Sequence, residues 1–486
     1  RILDMLPAEL WSDKKATFLD PGCKSGVMLR EIAKRLDKGL EQQIPNRQRR
    51  MNHIFKNQLY GLAITELTAL LSRRSLYCSK NANGKYSVCE AFEKPEGNIR
   101  FGRVEHAWEN GRCVYCGANK ENYERGGELE SHAYAFIHTD KSEEIFKMKF
   151  DVIIGNPPYQ LNDGGGMGTS ATPIYHLFVR QAKKLQPRYL TMIIPSRWFS
   201  GGRGLDDFRD EMLKDTSIWS IVDFPDSADA FPGVDISGGV CFFLWDRDNK
   251  GHCRISTHEK GKITSESERP LLEDGADTFI RFNQAVPILR KVRSLNEPSF
   301  MDIVSSNDPF GFDERVEGSY KRVAPKYSLK RSQNGIAFYY NGWTKSGIGC
   351  VEEGTIRKNP VWISKHKVFI AKAYGERGSF PFLVLARPFL AEKRSCCTET
   401  YLVIGPFATK TTADSAIHYV CTRFFRFLVL MKKNTQNALR GVYSFVPMQD
   451  LSKVWTDKDL YRKYKLTADE IAFIEAMVRP METNDE

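Results

Sequence analysis

Four consecutive residues, Asn156-Pro157-Pro158-Tyr159, combine a side-chain amide, two prolines that fix the backbone, and an aromatic ring. That set suits a planar ring bearing an exocyclic amino group, because it offers oxygens to accept two N–H bonds and a face to stack on. The tetrapeptide follows Asp151-Val152-Ile153-Ile154-Gly155, whose apolar run reads as a short buried strand that the prolines bring to an end. A rigid turn at the C-terminal end of a buried strand is where open α/β sheets place ligands. The bland alternative is a Pro-Pro loop after a core strand.

A second patch with chemical potential lies near the start of the chain. Ala16-Thr-Phe-Leu-Asp20-Pro-Gly-Cys-Lys-Ser-Gly26 reads as a strand, a small-residue turn and a helix. Val27, Leu29, Ile32, Ala33, Leu36 and Leu40 keep helical spacing, with Arg30, Glu31, Lys34 and Arg35 outside the stripe. Gly22 and Gly26 let the backbone pass close to a ligand, and the helix N-terminus offers free N–H groups. Such turns are common by themselves. Paired with Asn156–Tyr159, this one predicts a two-part site.

These residues carry a resemblance. Asp20-Pro-Gly-Cys-Lys-Ser-Gly26 resembles the S-adenosylmethionine motif of class I methyltransferases, and Asn156–Tyr159 resembles the catalytic tetrapeptide of amino methyltransferases acting on adenine in DNA. Cofactor motif first, catalytic motif second and a long C-terminal region last is similar to the gamma arrangement of N6-adenine DNA methyltransferases of type II and IIG restriction–modification systems. The resemblance covers roughly residues 1 to 250. Phe150 and Asp151, then Pro173-Ile-Tyr175 through Phe178, then Tyr189–Pro195, follow in the family's order.

The resemblance implies an α/β fold: a Rossmann-like class I methyltransferase domain with a mixed seven-stranded sheet over 1–255, and a C-terminal α+β target-recognition domain over 256–486. It implies site-specific methyl transfer from S-adenosylmethionine to N6 of a flipped-out adenine. Double-stranded DNA is then the partner, a cognate restriction endonuclease is a further candidate partner, and the setting is the cytoplasm of a bacterium or a phage-infected cell. Asn156, Pro157, Pro158 and Tyr159 are the expected catalytic group, with the Asn156 side-chain oxygen and the Pro157 carbonyl accepting the two amino hydrogens. Tyr159 and Phe231, the latter ahead of the apolar strand Gly239–Trp245, are the expected stacking pair. Asp20, Pro21, Gly22, Cys23, Gly26 and Asn156 are expected at the cofactor, Cys23 as packing in the turn rather than as a nucleophile. Residues 162–170 read either as a loop that orders over substrate or as a solvated linker.

The chain also departs from that pattern. Lys24 stands where the family has glycine. After the second strand, Leu59–Ala63, Ala63 and Thr65 occupy the places of the acid that binds the ribose, leaving Glu66 as its substitute. The third-strand acid would be Asp140, in Ala135-Phe-Ile-His-Thr-Asp140, against the alternative of a solvated loop Asp. These departures motivate a second reading, a catalytically impaired DNA-binding specificity subunit that kept the fold. RNA and protein amino methyltransferases share the tetrapeptide but lack so long a basic C-terminal region. Cytosine-N4 enzymes more often place Ser at position 156, which favours adenine.

Between the second and third strands an insertion over 79–130 brings Cys78, Cys89, His106, Cys113 and Cys116 into one stretch. Cys113-Val-Tyr-Cys116-Gly117 is a frequent zinc-knuckle spacing. Cys113 and Cys116 are the expected pair, completed by Cys78 and Cys89, with His106 as the alternative ligand of a structural zinc ion. A metal-free hairpin with free thiols is the competing reading.

Composition sets the frame. The chain has 486 residues, 41% of them hydrophobic and 27% charged, which predicts two globular domains with insertions. A net charge of +11 favours a polyanionic partner. An odd count of 11 cysteines in a chain this long predicts reduced thiols rather than a disulfide framework. No apolar run reaches a membrane span. An opening Arg1 without Met fits a fragment of a longer reading frame. Beyond residue 255, Tyr320–Tyr327, Lys330-Arg331, Arg357-Lys358, Lys365–Lys367 and Lys432-Lys433 are candidate phosphate contacts, and no nuclease motif is evident. Thr467 to Glu470, ahead of Ile471, Phe473, Ile474 and Met477, predicts a capped helix.

Overall fold

The computed structural model describes the chain except residues 125, 128, 162–171, 203, 313, 316–321, 324–326, 329–334, 377–379, 434–435 and 483–486. The chain forms two compact units, Arg1–Phe279 and Ile280–Glu486.

The first unit is built on one nine-stranded sheet. In chain order its strands are β1 (Phe18–Cys23), β2 (Leu59–Ala63), β3 (Ile99–Arg100), β4 (Val152–Gly155), β5 (Tyr189–Pro195), β6 (Ile218–Phe224), β7 (Val240–Asp246), β8 (Cys253–Glu259) and β9 (Lys262–Arg269). Their spatial order is β9-β8-β6-β7-β5-β4-β1-β2-β3. β3, β2, β1, β4 and β5 run parallel, while β7 is antiparallel to both its neighbours. The central strands are buried along their whole length, so their sequences are near-continuous apolar runs rather than alternating ones.

Helices α1 (Val27–Gly39), α2 (Glu66–Tyr77), α3 (Tyr175–Lys184) and α4 (Asp206–Lys214) cover the two faces. Leu29, Ile32 and Leu36 of α1 and Ala69 and Leu76 of α2 join Phe18, Val152 and Ile154 in one core cluster. Phe178, Val179 and Ala182 of α3 and Phe208 and Met212 of α4 join Leu19 and Ile153 in the other. Alternate residues of β1 and β4 thus feed opposite cores. The edge strand β9 is polar and largely exposed, as an unpaired edge requires.

Three details differ from the expectation. The sheet has nine strands rather than seven. The hairpin of β8 and β9 belongs to it through parallel pairing of β8 with β6, which carries the first unit past 255 to Phe279. The expected third strand at 135–140 is a turn, because the Ile137 and His138 amides both donate to the Tyr134 carbonyl at 3.0 Å and curl the segment. The strand beside β2 is instead the two-residue β3, inside the insertion.

The second unit mixes two three-stranded sheets with helices that include Lys410–Cys421, Arg423–Leu430 and Ala468–Met477. The last of these starts at the expected capping box, Thr467 with Glu470. Among the described residues no helix is long and apolar enough to cross a membrane.

Candidate active site

The two sequence patches meet at the C-terminal edge of the adjacent central strands. Phe18 and Leu19 of β1 pair in register with Val152 and Ile153 of β4. Asp151 fixes that register: its carboxylate accepts from the Thr17 amide and hydroxyl, both at 2.9 Å, and its own amide donates to the Thr17 hydroxyl at 3.0 Å. The turn after β1 then lies against the tetrapeptide after β4. A Cβ added to Gly22 would sit 3.7 Å from Pro157 Cα and 3.8 Å from Pro158 Cδ, so a larger residue there would crowd the prolines.

Asn156 directly follows β4, its Oδ1 buried and without a hydrogen-bond partner, and the Tyr159 hydroxyl is in the same state. Orphaned buried acceptors are uncommon and call for a ligand or water. The tetrapeptide is tied to α3 by the Ile174 amide, which donates to the Tyr159 carbonyl at 3.1 Å. The Tyr159 ring meets Tyr175 edge-on, with centroids 6.5 Å apart.

In the glycine turn, Asp20 is buried and its Oδ1 accepts from the Gly22 amide at 3.1 Å. Burial pushes its carboxyl up to about 7, against the pull of that N–H and of Lys24. Lys24 reaches toward the Tyr159 ring, its Nζ 6.0 Å from the centroid, and desolvation holds its amine below the usual lysine range. The Ser72 hydroxyl of α2 holds the turn by donating to the Lys24 carbonyl at 3.1 Å. Gly26 caps α1 with φ at 73°, leaving the first-turn N–H groups without a side-chain cap. Cys23 is buried in packing, close to Gly61 and Leu29, so at this position the backbone rather than the thiol faces the turn.

The remaining expected residues are less closely gathered. Glu66 is exposed on the first turn of α2, just beyond β2 and therefore on the same sheet edge. Asp140 is exposed on the curled segment and accepts from the Tyr115 hydroxyl at 3.5 Å. Phe231 is half-buried against the α1 side of the sheet, held by its amide to the Ser227 carbonyl at 2.8 Å, whereas Tyr159 packs on the α3 side. The segment 162–170 lies outside the described residues.

The insertion gathers a different set of ligands from the expected one. Cys113 and Cys116 do come together, in a hairpin turn closed by the Gly117 amide on the Cys113 carbonyl at 2.9 Å. Their companions are His106 and His138, and the four donor atoms all lie within 4.8 Å of one another. Cys78 is exposed at the left-handed cap of α2, and Cys89 is buried in the α1-side core with Tyr77 and Ala82. Both fall outside the group because α2 carries them to the opposite face of the sheet from Cys113 and Cys116. Burial pushes the Cys116 thiol up to about 12 and the His138 imidazole down to about 4.

The region matched by the Eco57I restriction-modification methylase family model is residues 57–231, which contains β2, the insertion and the tetrapeptide. A Mycoplasma pneumoniae protein named as an uncharacterized adenine-specific methylase is 40% identical over 292 residues, covering 54% of this chain and 69% of that protein. The chain belongs to the adenine-specific methylases of restriction–modification type. Among solved structures, the Type IIL restriction-modification enzyme MmeI in complex with DNA matches at a TM-score of 0.48 and 11% identity, over 91% of this chain and 62% of that chain. The DrdV–DNA complex matches at 0.44 and 11%, over 97% and 57%. The methylase therefore spans less than two thirds of the length of those two chains.

Two groups of residues in the methylase escaped the sequence reading or were misassigned by it. His138 lay in a segment read as a strand, 22 residues beyond Cys116, and its pairing with the Cys-rich stretch had no local signal. Lys367 and Lys433 read as phosphate contacts but serve the fold of the second unit. Lys367 is fully buried with its ammonium on the Lys365 and Glu392 carbonyls at 3.1 and 3.4 Å, and Lys433 donates to the Tyr374 carbonyl at 2.8 Å.

Proposed function

We propose that this chain transfers a methyl group from S-adenosylmethionine to N6 of adenine in double-stranded DNA, with the target base turned out of the helix. The observation that carries this is Asn156 Oδ1, a buried acceptor without a partner at the sheet edge where the glycine turn meets the tetrapeptide. Adenine's amino nitrogen is a poor nucleophile because its lone pair is delocalised into the ring. Asn156 Oδ1 and the Pro157 carbonyl would accept its two N–H bonds, an interaction that strengthens as positive charge develops on nitrogen. Tyr159 would stack on the base, and Phe231 is the candidate second face. Such stacking is worth about 1–3 kcal/mol per base, which helps offset extrusion from the duplex.

The residues of the glycine turn fit the cofactor. Gly22 and the uncapped N-terminus of α1 supply approach and N–H donors, and the buried Asp20 carboxyl faces the turn's own backbone. Pro21, Gly26 and the Cys23 backbone complete the cradle, with Glu66 and Asp140 as the acids for the ribose and adenine ends. When bound, the sulfonium supplies an already electrophilic methyl group, so the protein's task is placement. A structural zinc ion in the insertion, target recognition by the second unit and a cytoplasmic setting belong to the same reading. So does a cognate nuclease as partner.

The test uses genomic DNA of a methylation-deficient host expressing the chain, read by single-molecule sequencing beside Asn156→Ala. N6-methyladenine at one sequence motif, lost in a variant that stays folded, is the expected result. Absence of methylation by the folded wild-type chain would overturn the reading. Methylation that persists in Asn156→Ala would remove Asn156 from its role.

A further inference from the structure

We propose that Cys113, Cys116, His106 and His138 bind one structural zinc ion, and that this ion fastens the insertion to the wall of the cofactor pocket. The site itself rests on ligand geometry, and its link to the cofactor pocket rests on the function proposed above.

Each of the four residues turns a donor atom into one group, all within 4.8 Å of one another. His106 Nε2 lies 2.8 Å from the Ser131 carbonyl, which fixes a proton there and leaves Nδ1 as the ligand atom. That Nδ1 lies 3.5 Å from Cys116 Sγ. Bonds of about 2.3 Å to sulfur and about 2.1 Å to nitrogen at tetrahedral angles would hold the two about 3.6 Å apart. His138 turns its other nitrogen to the group: its Nδ1 lies 3.0 Å from both the Tyr134 amide and the Tyr134 carbonyl, and its Nε2 is buried without a partner. Both imidazoles are thus anchored to the backbone through the nitrogen away from the group, as histidines oriented on metals are. Two cysteines, which zinc binds as thiolates, and two imidazoles, all buried and without an open carboxylate, select zinc by softness and geometry, in a closed site rather than a catalytic one.

The ion would join two stretches that are distant in sequence. One is the hairpin of Trp108–Glu109 with Arg112–Cys113, the other the curled segment around His138. That segment reaches the catalytic core directly. The Phe136 ring stacks on Phe178 of α3 at 5.8 Å, and Gln181 of α3 donates to the Thr139 carbonyl at 2.9 Å. Phe178 in turn closes on the cofactor turn, its Cε1 3.8 Å from where a Gly22 Cβ would be. From ligand to glycine turn the path is therefore His138, Phe136, Phe178, Gly22.

Metal content of the purified chain is the first readout, with cobalt substitution as the second. One equivalent of zinc is expected, and the cobalt derivative should show the ligand-field bands of a tetrahedral site with thiolate charge transfer. Cys116→Ser and His138→Gln should lose the metal, while Cys78→Ser and Cys89→Ser keep it. Stripping the metal should raise amide exchange at 131–140 and in α3. A folded chain that takes up neither zinc nor cobalt overturns the site, even if the ligand variants fail to fold. Loss of zinc in Cys78→Ser or Cys89→Ser overturns the ligand set. A rise in exchange confined to 104–124 overturns the link to the cofactor wall.

Discussion

A buried carboxyl group makes stability depend on pH through its proton, and Asp20 in the glycine turn is that group here. With its pKa raised from 3.8 to about 7, the folded chain holds a proton that the unfolded chain gives up over that range. Neutral Asp20 is tolerated fully below pH 3.8, and the cost of its charge builds as pH rises from there through about 7. Asp20→Asn should therefore be more stable than the wild type at pH 8, by at most about 4 kcal/mol from 1.36 kcal/mol per pKa unit, with the gap closing toward pH 4. Thermal melts of the two proteins across that range check the sign. A cationic sulfonium ligand favours the ionised carboxyl, so S-adenosylmethionine affinity of the wild type should rise toward pH 7. The Asn variant should show a flat profile in the same calorimetric titration.

Among the elements, the start of α1 depends on one glycine. Gly26 has φ at 73°, and a Cβ there would lie 2.9 Å from Ser72 Cα and 3.1 Å from the Ser72 carbonyl, both backbone of α2. The left-handed conformation alone costs an L-residue about 1–2 kcal/mol, and the clash must move one helix off the other. Gly26→Ala should thus lower the melting temperature and weaken cofactor binding together, read by differential scanning fluorimetry with and without S-adenosylmethionine. Why such elements were legible in the sequence, and others not, follows from where their information sits. Asp20–Gly26 and Asn156–Tyr159 are local: a strand, a breaker and small residues within one window, and β1 and β4 formed where the apolar runs ended. β3 is two residues long and has no periodicity to detect. The segment 135–140 has a strand-like composition, yet Tyr134's carbonyl captures two amides and turns it. The His and Cys group was half visible for the same reason, since C-x-x-C is local while His138 arrives by tertiary folding.

For the whole molecule, the question is where one folding unit stops, and the hairpin after residue 252 answers it. The expected boundary lies at 255, but β8 pairs with β6 along four residues and carries Cys253 and Ile255 into the α3-side core. Beyond the hairpin, the Thr278 hydroxyl donates to the Phe199 carbonyl at 2.8 Å, and the Phe279 ring packs on Phe199 at 4.4 Å. A fragment 1–255 loses β9, most of β8 and the Phe279 plug, which uncovers the edge of β6 and the core below it. Uncovered edges of that kind pair with other chains. The fragment 1–279 keeps every one of these contacts. Expressed separately, 1–279 should be monomeric, melt cooperatively, and retain both the metal and S-adenosylmethionine binding, whereas 1–255 should aggregate. Sedimentation and calorimetry on the two fragments decide it. A stable, cofactor-binding 1–255 would mean that the hairpin is an accessory to the sheet and that 255 is the true boundary.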